Sequence, residues 1–167
     1  EQFDGTGATI TTDNTQAATA SDIVAVVVKP WLVESVLKGI KDNLDYARQM
    51  LIVVAAGVSS AQVKEWLDKG NGTMIPLFLV IPNTAIAVMS SMTFVVPVGA
   101  SEEQTAIVKA LFDEMGSTLV KMNGDAAVRI ADVADVVIAP AVKQGYAAQD
   151  GNPAVILSIS KQPGINT

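Results

Sequence analysis

Four long apolar runs stand out along the chain, and between them apolar residues recur at helical spacing. The runs are DIVAVVVKP at 22–30, QMLIVVAAG at 49–57, PLFLVIP at 76–82 and MTFVVPV at 92–98. Apolar runs without polar alternation predict strands buried on both faces. After the first run, Val33, Val36, Leu37, Ile40 and Leu44 fall on one helical stripe, with Lys38, Lys41 and Asp42 opposite. SSAQVKEWLDKG at 59–70 predicts a helix opened by a Ser59–Gln62 capping box and closed by Gly70. SEEQTAIVKALFDEMG at 101–116 predicts another, opened by Ser101–Gln104, with Ala106, Ile107, Ala110, Leu111 and Met115 as its apolar face. A short strand is expected at 7–11, and a short helix at 13–20 capped by Asp13 or Asn14. Strand followed by helix, repeated, implies an α/β fold of parallel βα units with right-handed crossovers.

The pattern changes near residue 122. Beyond it come strand-like runs and turn sequences, Asn123-Gly124 and Asp150-Gly151-Asn152-Pro153, but no amphipathic helix. Two regions follow: an α/β region over 1–122 and a β-rich, antiparallel appendix over 123–167. The apolar runs at 22–28 and 50–54 must lie inside a sheet. The segments VADVVIAP (133–140) and PAVILSIS (153–160) are apolar enough to fill a gap beside them, so both regions are expected to pack as one domain. The alternative burial is between subunits, as a homo-oligomer.

Composition narrows the function classes. Half of the 167 residues are hydrophobic but only 5 % are aromatic, so the core is built from Val, Ile, Leu, Ala and Met. The net charge of −6 and the lack of a basic run argue against nucleic acid as a partner. With no Cys and no His, a thiol nucleophile, a disulfide and the commonest general base and metal ligand are excluded, and no metal is expected. The stretch 70–101 carries no charge, but Pro76, Pro82, Asn83 and Pro97 argue against a spanning helix, so no membrane partner is expected. The first residues, EQFDGTGATI, lack the features of a signal peptide and read as a processed or truncated start; a cytoplasmic location is the expectation.

Within that uncharged stretch the triplet Pro82-Asn83-Thr84 interrupts an apolar run. Two other strand ends are distinctive: Lys29-Pro30 after 22–28, and Ala55-Ala56-Gly57 after 50–54. In doubly wound sheets, ligands sit beyond the carboxyl ends of the strands. Small residues allow a ligand close to the backbone, Lys29 offers charge, and Asn83 and Thr84 offer hydrogen bonds. Two readings stay open: a nucleotide-type cleft, or ordinary strand-terminating turns.

TTDNTQAATASDIVAVVVKPWLVESVLKGI, AAGVSSAQVKEWL and LFLVIPNTAIAVMSSMTFVV together resemble pyrroline-5-carboxylate reductase, over about residues 1–120. The resemblance implies a partial Rossmann-like layered sheet and NAD(P)H reduction of a cyclic imine to proline. It implies that Asn14, Val28, Lys29, Pro30, Ala55, Ala56, Gly57, Pro82, Asn83 and Thr84 line a site for NADP(H) or NAD(H). No catalytic residue is carried over. The family's opening strand with its G-x-G-x-x-G loop has no counterpart here; GTGATI at 5–10 opens no helix. Leu79 stands where the family carries Arg, and the helical C-terminal domain is also missing. Cofactor binding is therefore expected to be weak or absent, and independent catalysis is not expected.

Residues 126–167 are similar to a periplasmic segment of resistance-nodulation-division efflux pumps, through VRIADVADV and DGNPAVILSISKQPG. The two resemblances together imply a chimera, engineered or recombined. The readings to separate are a truncated reductase-like protein, a non-enzymatic scaffold or interaction protein, and an efflux-pump fragment.

Overall fold

Leu51, Ile52 and Val53, with Leu77, Phe78, Leu79 and Val80, are all at most 1 % exposed. They form the adjacent strands β2 (Met50–Val53) and β3 (Leu77–Ile81), whose side chains alternate between two apolar layers. The computed structural model of the chain describes residues 5–121, 148–149 and 152–153. The chain divides into two units, Glu1–Val128 and Arg129–Thr167.

The first unit is an α/β layered structure. Its sheet has the order β1-β2-β3-β4-β5, with β1 at Ile23–Val26, β4 at Ser91–Val98 and β5 at Gly116–Val120. β1, β2 and β3 run parallel, in register Val26–Val53–Leu79. One face is covered by α1 (Asn14–Thr19), α2 (Pro30–Ile40) and α3 (Ser60–Leu67). There Ala18, Val33, Leu37, Val63 and Leu67 pack against Val24, Leu51, Val53, Leu77 and Leu79. The other face is covered by α4 (Glu102–Asp113), whose Val108 and Phe112 pack on Ile52, Phe78, Val80 and Val95. Burying a side chain of this size contributes about 1.5–3 kcal/mol, so these layers dominate the stability.

Local chemistry sets the helix starts. Asp13 accepts from the backbone N–H of Thr15 and Gln16 at the head of α1. Both capping boxes form as the spacing predicts, Ser59 with Gln62 and Ser101 with Gln104. Each one satisfies two helix-end donors that would otherwise be left over.

The described structure differs from the expected pattern in several places. The expected strand at 7–11 does not form; Gly5 and Gly7 adopt positive φ, and no neighbouring strand offers it a ladder among the described residues. Among the described residues β1 comes first in the strand order, with Val24 and Val26 buried, Ala25 exposed and Ile23 in between; the segments expected beside it at 133–140 and, beyond Pro153, at 153–160 lie outside the described residues. β4 is antiparallel to β3, because only a 3-10 turn over Thr84–Val88 joins them and no crossover helix intervenes. α4 buries Val108 and Phe112 and leaves Ala106, Ile107, Ala110 and Leu111 exposed. Two apolar stripes one residue apart compete there, and the one carrying the large Phe112 ring is buried. β5, parallel to β4, carries little sequence signal: in GSTLV only Leu119 and Val120 are large and apolar, and none of its residues is fully buried.

In the second unit β6 (Ala148–Gln149) and β7 (Asn152–Pro153) pair antiparallel, with Gln149 opposite Asn152. The expected turn at Asn123-Gly124 and the expected strands at 133–140 and, beyond Pro153, at 153–160 lie outside the described residues.

Two polar devices hold the α1–α3 face together. Gln49, 1 % exposed, donates from its side-chain nitrogen to the carbonyls of Ala18 (2.6 Å) and Ser21 (2.5 Å), and its side-chain oxygen accepts from the N–H of Asp45 (2.8 Å). The hydroxyl of Tyr46 donates to the carbonyl of Leu67 (2.6 Å) at the end of α3. Lys69 Nζ lies 4.1 Å from the centre of the Tyr46 ring and donates to the carbonyl of Leu44 (2.9 Å).

Burial, and after it the charges of Asp42 and Asp68, push the Tyr46 hydroxyl up from 10 to about 12. In the unfolded chain this group ionises near pH 10; in the folded chain it stays neutral until about pH 12. Its contribution is therefore complete below pH 10 and is lost as pH rises from 10 to about 12. Urea unfolding across that window should show a loss on the order of 2 kcal/mol, and Tyr46→Phe should flatten it.

Gly116 opens β5 at φ +142°, and a Cβ there would lie 2.1 Å from the Ser91 carbonyl oxygen. The obstacle is backbone, which cannot turn aside. Gly116→Ala should cost about 2–3 kcal/mol or more in urea denaturation.

Candidate functional site

Because β1, β2 and β3 are parallel neighbours, their carboxyl ends share one edge of the sheet. Adjacent strands lie about 4.8 Å apart. The loops at 28–30, 55–57 and 82–84 are thus brought together at that edge, as the sequence pattern requires.

Each loop is shaped by its own residues. Lys29 has extended backbone, caps α2 without a side-chain bond, and accepts the Leu32 N–H at its carbonyl (2.9 Å). Pro30 begins the helix with its φ already set. Lys29 is exposed, so its ammonium is available to an anion. Ala55 is buried, whereas Ala56 and Gly57 are exposed. Gly57 takes φ +78° with no atom within 4 Å of where a Cβ would stand, which leaves open space against the backbone.

Pro82-Asn83-Thr84 first of all turns the chain. The Asn83 side-chain oxygen accepts from Ala85 N–H (3.1 Å), and its carbonyl accepts from Ile86 N–H (3.2 Å), which starts the 3-10 turn. Asn83 N–H donates to Ser91 Oγ (3.3 Å), and Ser91 Oγ lies 2.9 Å from Thr93 Oγ1. Ser91 and Thr93 are buried polar residues, and Ser91 N–H donates to the Met115 carbonyl (3.0 Å). The strand ends β3, β4 and β5 therefore brace the triplet from below. The turn closes on Met89, which holds a left-handed backbone (φ 56°) while being exposed. Strain of this kind clusters at ligand-binding loops and switch regions. The bracing pair Ser91 and Thr93 was missed in the sequence; a Ser-x-Thr at the start of an apolar strand was the available signal.

Asn14 and Val28 line one groove of about 350 Å³ beside β1. The other candidate residues, Lys29, Pro30, Ala55, Ala56, Gly57, Pro82, Asn83 and Thr84, do not line it. Leu79 is buried at 1 % in the α1–α3 layer and contributes to the core there. Among the described residues no group of three His, Cys, Asp or Glu side chains could hold a metal ion, and no helix is long and apolar enough to cross a membrane.

A partly parallel sheet with helices on both faces and three loops gathered at the strand ends defines a Rossmann-like α/β fold. Comparison with known proteins makes the relationship particular: the N-terminal part is homologous to pyrroline-5-carboxylate reductases. The chain is 35 % identical over 111 residues to that enzyme of Corynebacterium melassecola, covering 65 % of this chain and 40 % of the relative. It is 31 % identical over 118 residues to the Arabidopsis thaliana enzyme, covering 70 % and 41 % respectively. The chain thus spans about two fifths of the length of the curated relatives it matches.

Solved structures agree on the fold. A pyrroline-5-carboxylate reductase from Coxiella burnetii superposes with a TM-score of 0.66 at 24 % identity, over 72 % of this chain and 44 % of that one. The Plasmodium falciparum pyrroline carboxylate reductase, solved with NADP bound, gives 0.59 at 22 %, over 67 % and 41 %. No protein-family model matches the chain. Nothing among these matches supports the efflux-pump likeness of residues 126–167 or a chimeric origin.

Removing the brace should loosen the triplet. Ser91→Ala is expected to cost about 1–2 kcal/mol and to speed hydrogen exchange at the Asn83 amide, read by NMR.

Proposed function

We propose that the chain is a dinucleotide-binding unit of pyrroline-5-carboxylate reductase type, taking NADP(H) or NAD(H) at the loops 28–30, 55–57 and 82–84. One observation carries this reading: three loops of the reductase-like sequence lie side by side at the carboxyl edge of β1–β3. The NADP-bound neighbour of like fold supports it.

In this reading Gly57 and Ala56 let the ligand approach the backbone, Lys29 offers charge to a phosphate, and Asn83 and Thr84 border the nicotinamide. Asn14 contacts the nucleotide from α1. The side-chain oxygen of Asn83 is committed to Ala85 N–H, so its amide nitrogen is the group left to face a ligand. The bound dinucleotide supplies the hydride for reduction of a cyclic imine, and the chain's part is to bind and orient. The 167 residues contain no G-x-G-x-x-G sequence, and Lys29 is the one cation in the three loops. The phosphates are therefore held loosely.

Calorimetric titration of the chain with NADPH should give a dissociation constant of about 10⁻⁴ M or weaker, near 5.5 kcal/mol of binding. Lys29→Ala and Asn83→Ala should each weaken it further. No saturable binding, or binding that ignores both substitutions, would overturn the assignment.

A further inference from the structure

We propose that Asn71 is a self-modification site: in the native fold its side-chain amide is attacked by the backbone nitrogen of Gly72 and converts to aspartate and isoaspartate. The inference is independent of the dinucleotide reading. The loop between α3 and β3 precedes β3, so it lies at the edge of the sheet opposite the three candidate loops.

The local geometry supplies what the reaction needs. Asn71, Gly72 and Thr73 are all exposed, so solvent reaches the site. The Thr73 N–H donates to Asn71 Oδ1 (3.0 Å). That bond folds the Asn71 side chain over the Gly72 peptide, toward the nitrogen that attacks. It also places a donor on the oxygen that gains negative charge when Cγ becomes tetrahedral. Among the described residues, neither the Gly72 N–H nor Asn71 Nδ2 is held by a hydrogen bond. The nucleophile and the leaving group are thus both unengaged. Gly72 holds φ +71°, with no atom within 4 Å of where a Cβ would stand. Glycine adopts that conformation without strain and leaves the approach open.

The step balances without a cofactor. Solvent base takes the Gly72 N–H proton, and the nitrogen forms a bond to Asn71 Cγ. The Cγ–Nδ2 bond breaks and ammonia leaves, which closes a succinimide. Water then opens the ring: addition at Cγ restores the main chain and gives aspartate, and addition at the Asn71 main-chain carbonyl gives isoaspartate. Nothing is oxidised or reduced. Either product adds a negative charge to a chain of net charge −6, just beyond the negative end of the α3 dipole. Isoaspartate also lengthens the main chain by a carbon between Leu67 and Ile75, both at most 1 % exposed.

Asn83 is a built-in control. Its side-chain oxygen likewise accepts from the N–H two residues on, but the residue that would attack is Thr84, whose branched side chain crowds the nitrogen. Both asparagines fall in one tryptic peptide, Gly70 to Lys109. The full chain is incubated folded in mildly alkaline buffer, and mass spectrometric fragmentation of that peptide is compared with an unincubated sample. Asn71 should convert at least about tenfold faster than Asn83, and Gly72→Ala should slow it by a similar factor. Conversion in the folded chain should be at least as fast as in the chain unfolded in urea, a comparison that decides the matter if Gly72→Ala disturbs the loop. Equal behaviour of Asn71 and Asn83, or conversion that sets in only after unfolding, would each overturn the proposal. So would a rate indifferent to Gly72→Ala when the circular dichroism of that variant is unchanged.

Discussion

Two inner strands, β2 and β3, carry side chains that have to be dry on both sides, and the rest of the described structure is arranged to keep them so. The ladder between them fixes one row of residues toward α2 and α3 and the alternate row toward α4. A one-residue slip would exchange the two layers. The register Leu51–Leu77 and Val53–Leu79 is thus specified from both faces at once. The helices follow as covers, and the loops at the carboxyl edge are placed by where those strands end.

The helices and their caps were legible because each rests on a few residues close in sequence. A capping box needs only positions three apart, and both form as read. Strand neighbours were less legible, because pairing is decided at long range. DIVAVVV looks like an inner strand; among the described residues β1 stands at the end of the sheet order, with Ala25 exposed between the buried Val24 and Val26. Apolar composition reports what a segment tolerates, not how many partners it finds. The direction of β4 depended on a connection too short to hold a crossover helix, and β5 alternates too weakly to stand out.

At the candidate site, position was legible and role less so. All three loop motifs fall where the strand pattern puts them. What the pattern could not show is that the Asn83 side chain caps its own turn, or that Ser91 supports it from the next strand. Such bonds depend on the chain folding back through Met89, whose backbone conformation no side-chain pattern announces.

Gln49 gives the molecule an informational weak point. Its amide uses both hydrogens on carbonyls of the α1 segment and its oxygen on a backbone N–H, across separations of 31, 28 and 4 residues. Changing –NH₂ to –O⁻, as in glutamate, keeps shape and volume but turns two attractions into carbonyl–carboxylate repulsions. Leucine or methionine fills the same space and leaves the carbonyls without donors. Neither a size match nor a polarity match suffices, because the site reads the order of donor and acceptor on one planar group. Substitutions that a hydropathy or volume scale would rate as mild are, at this residue, the ones that detach α1 from β2.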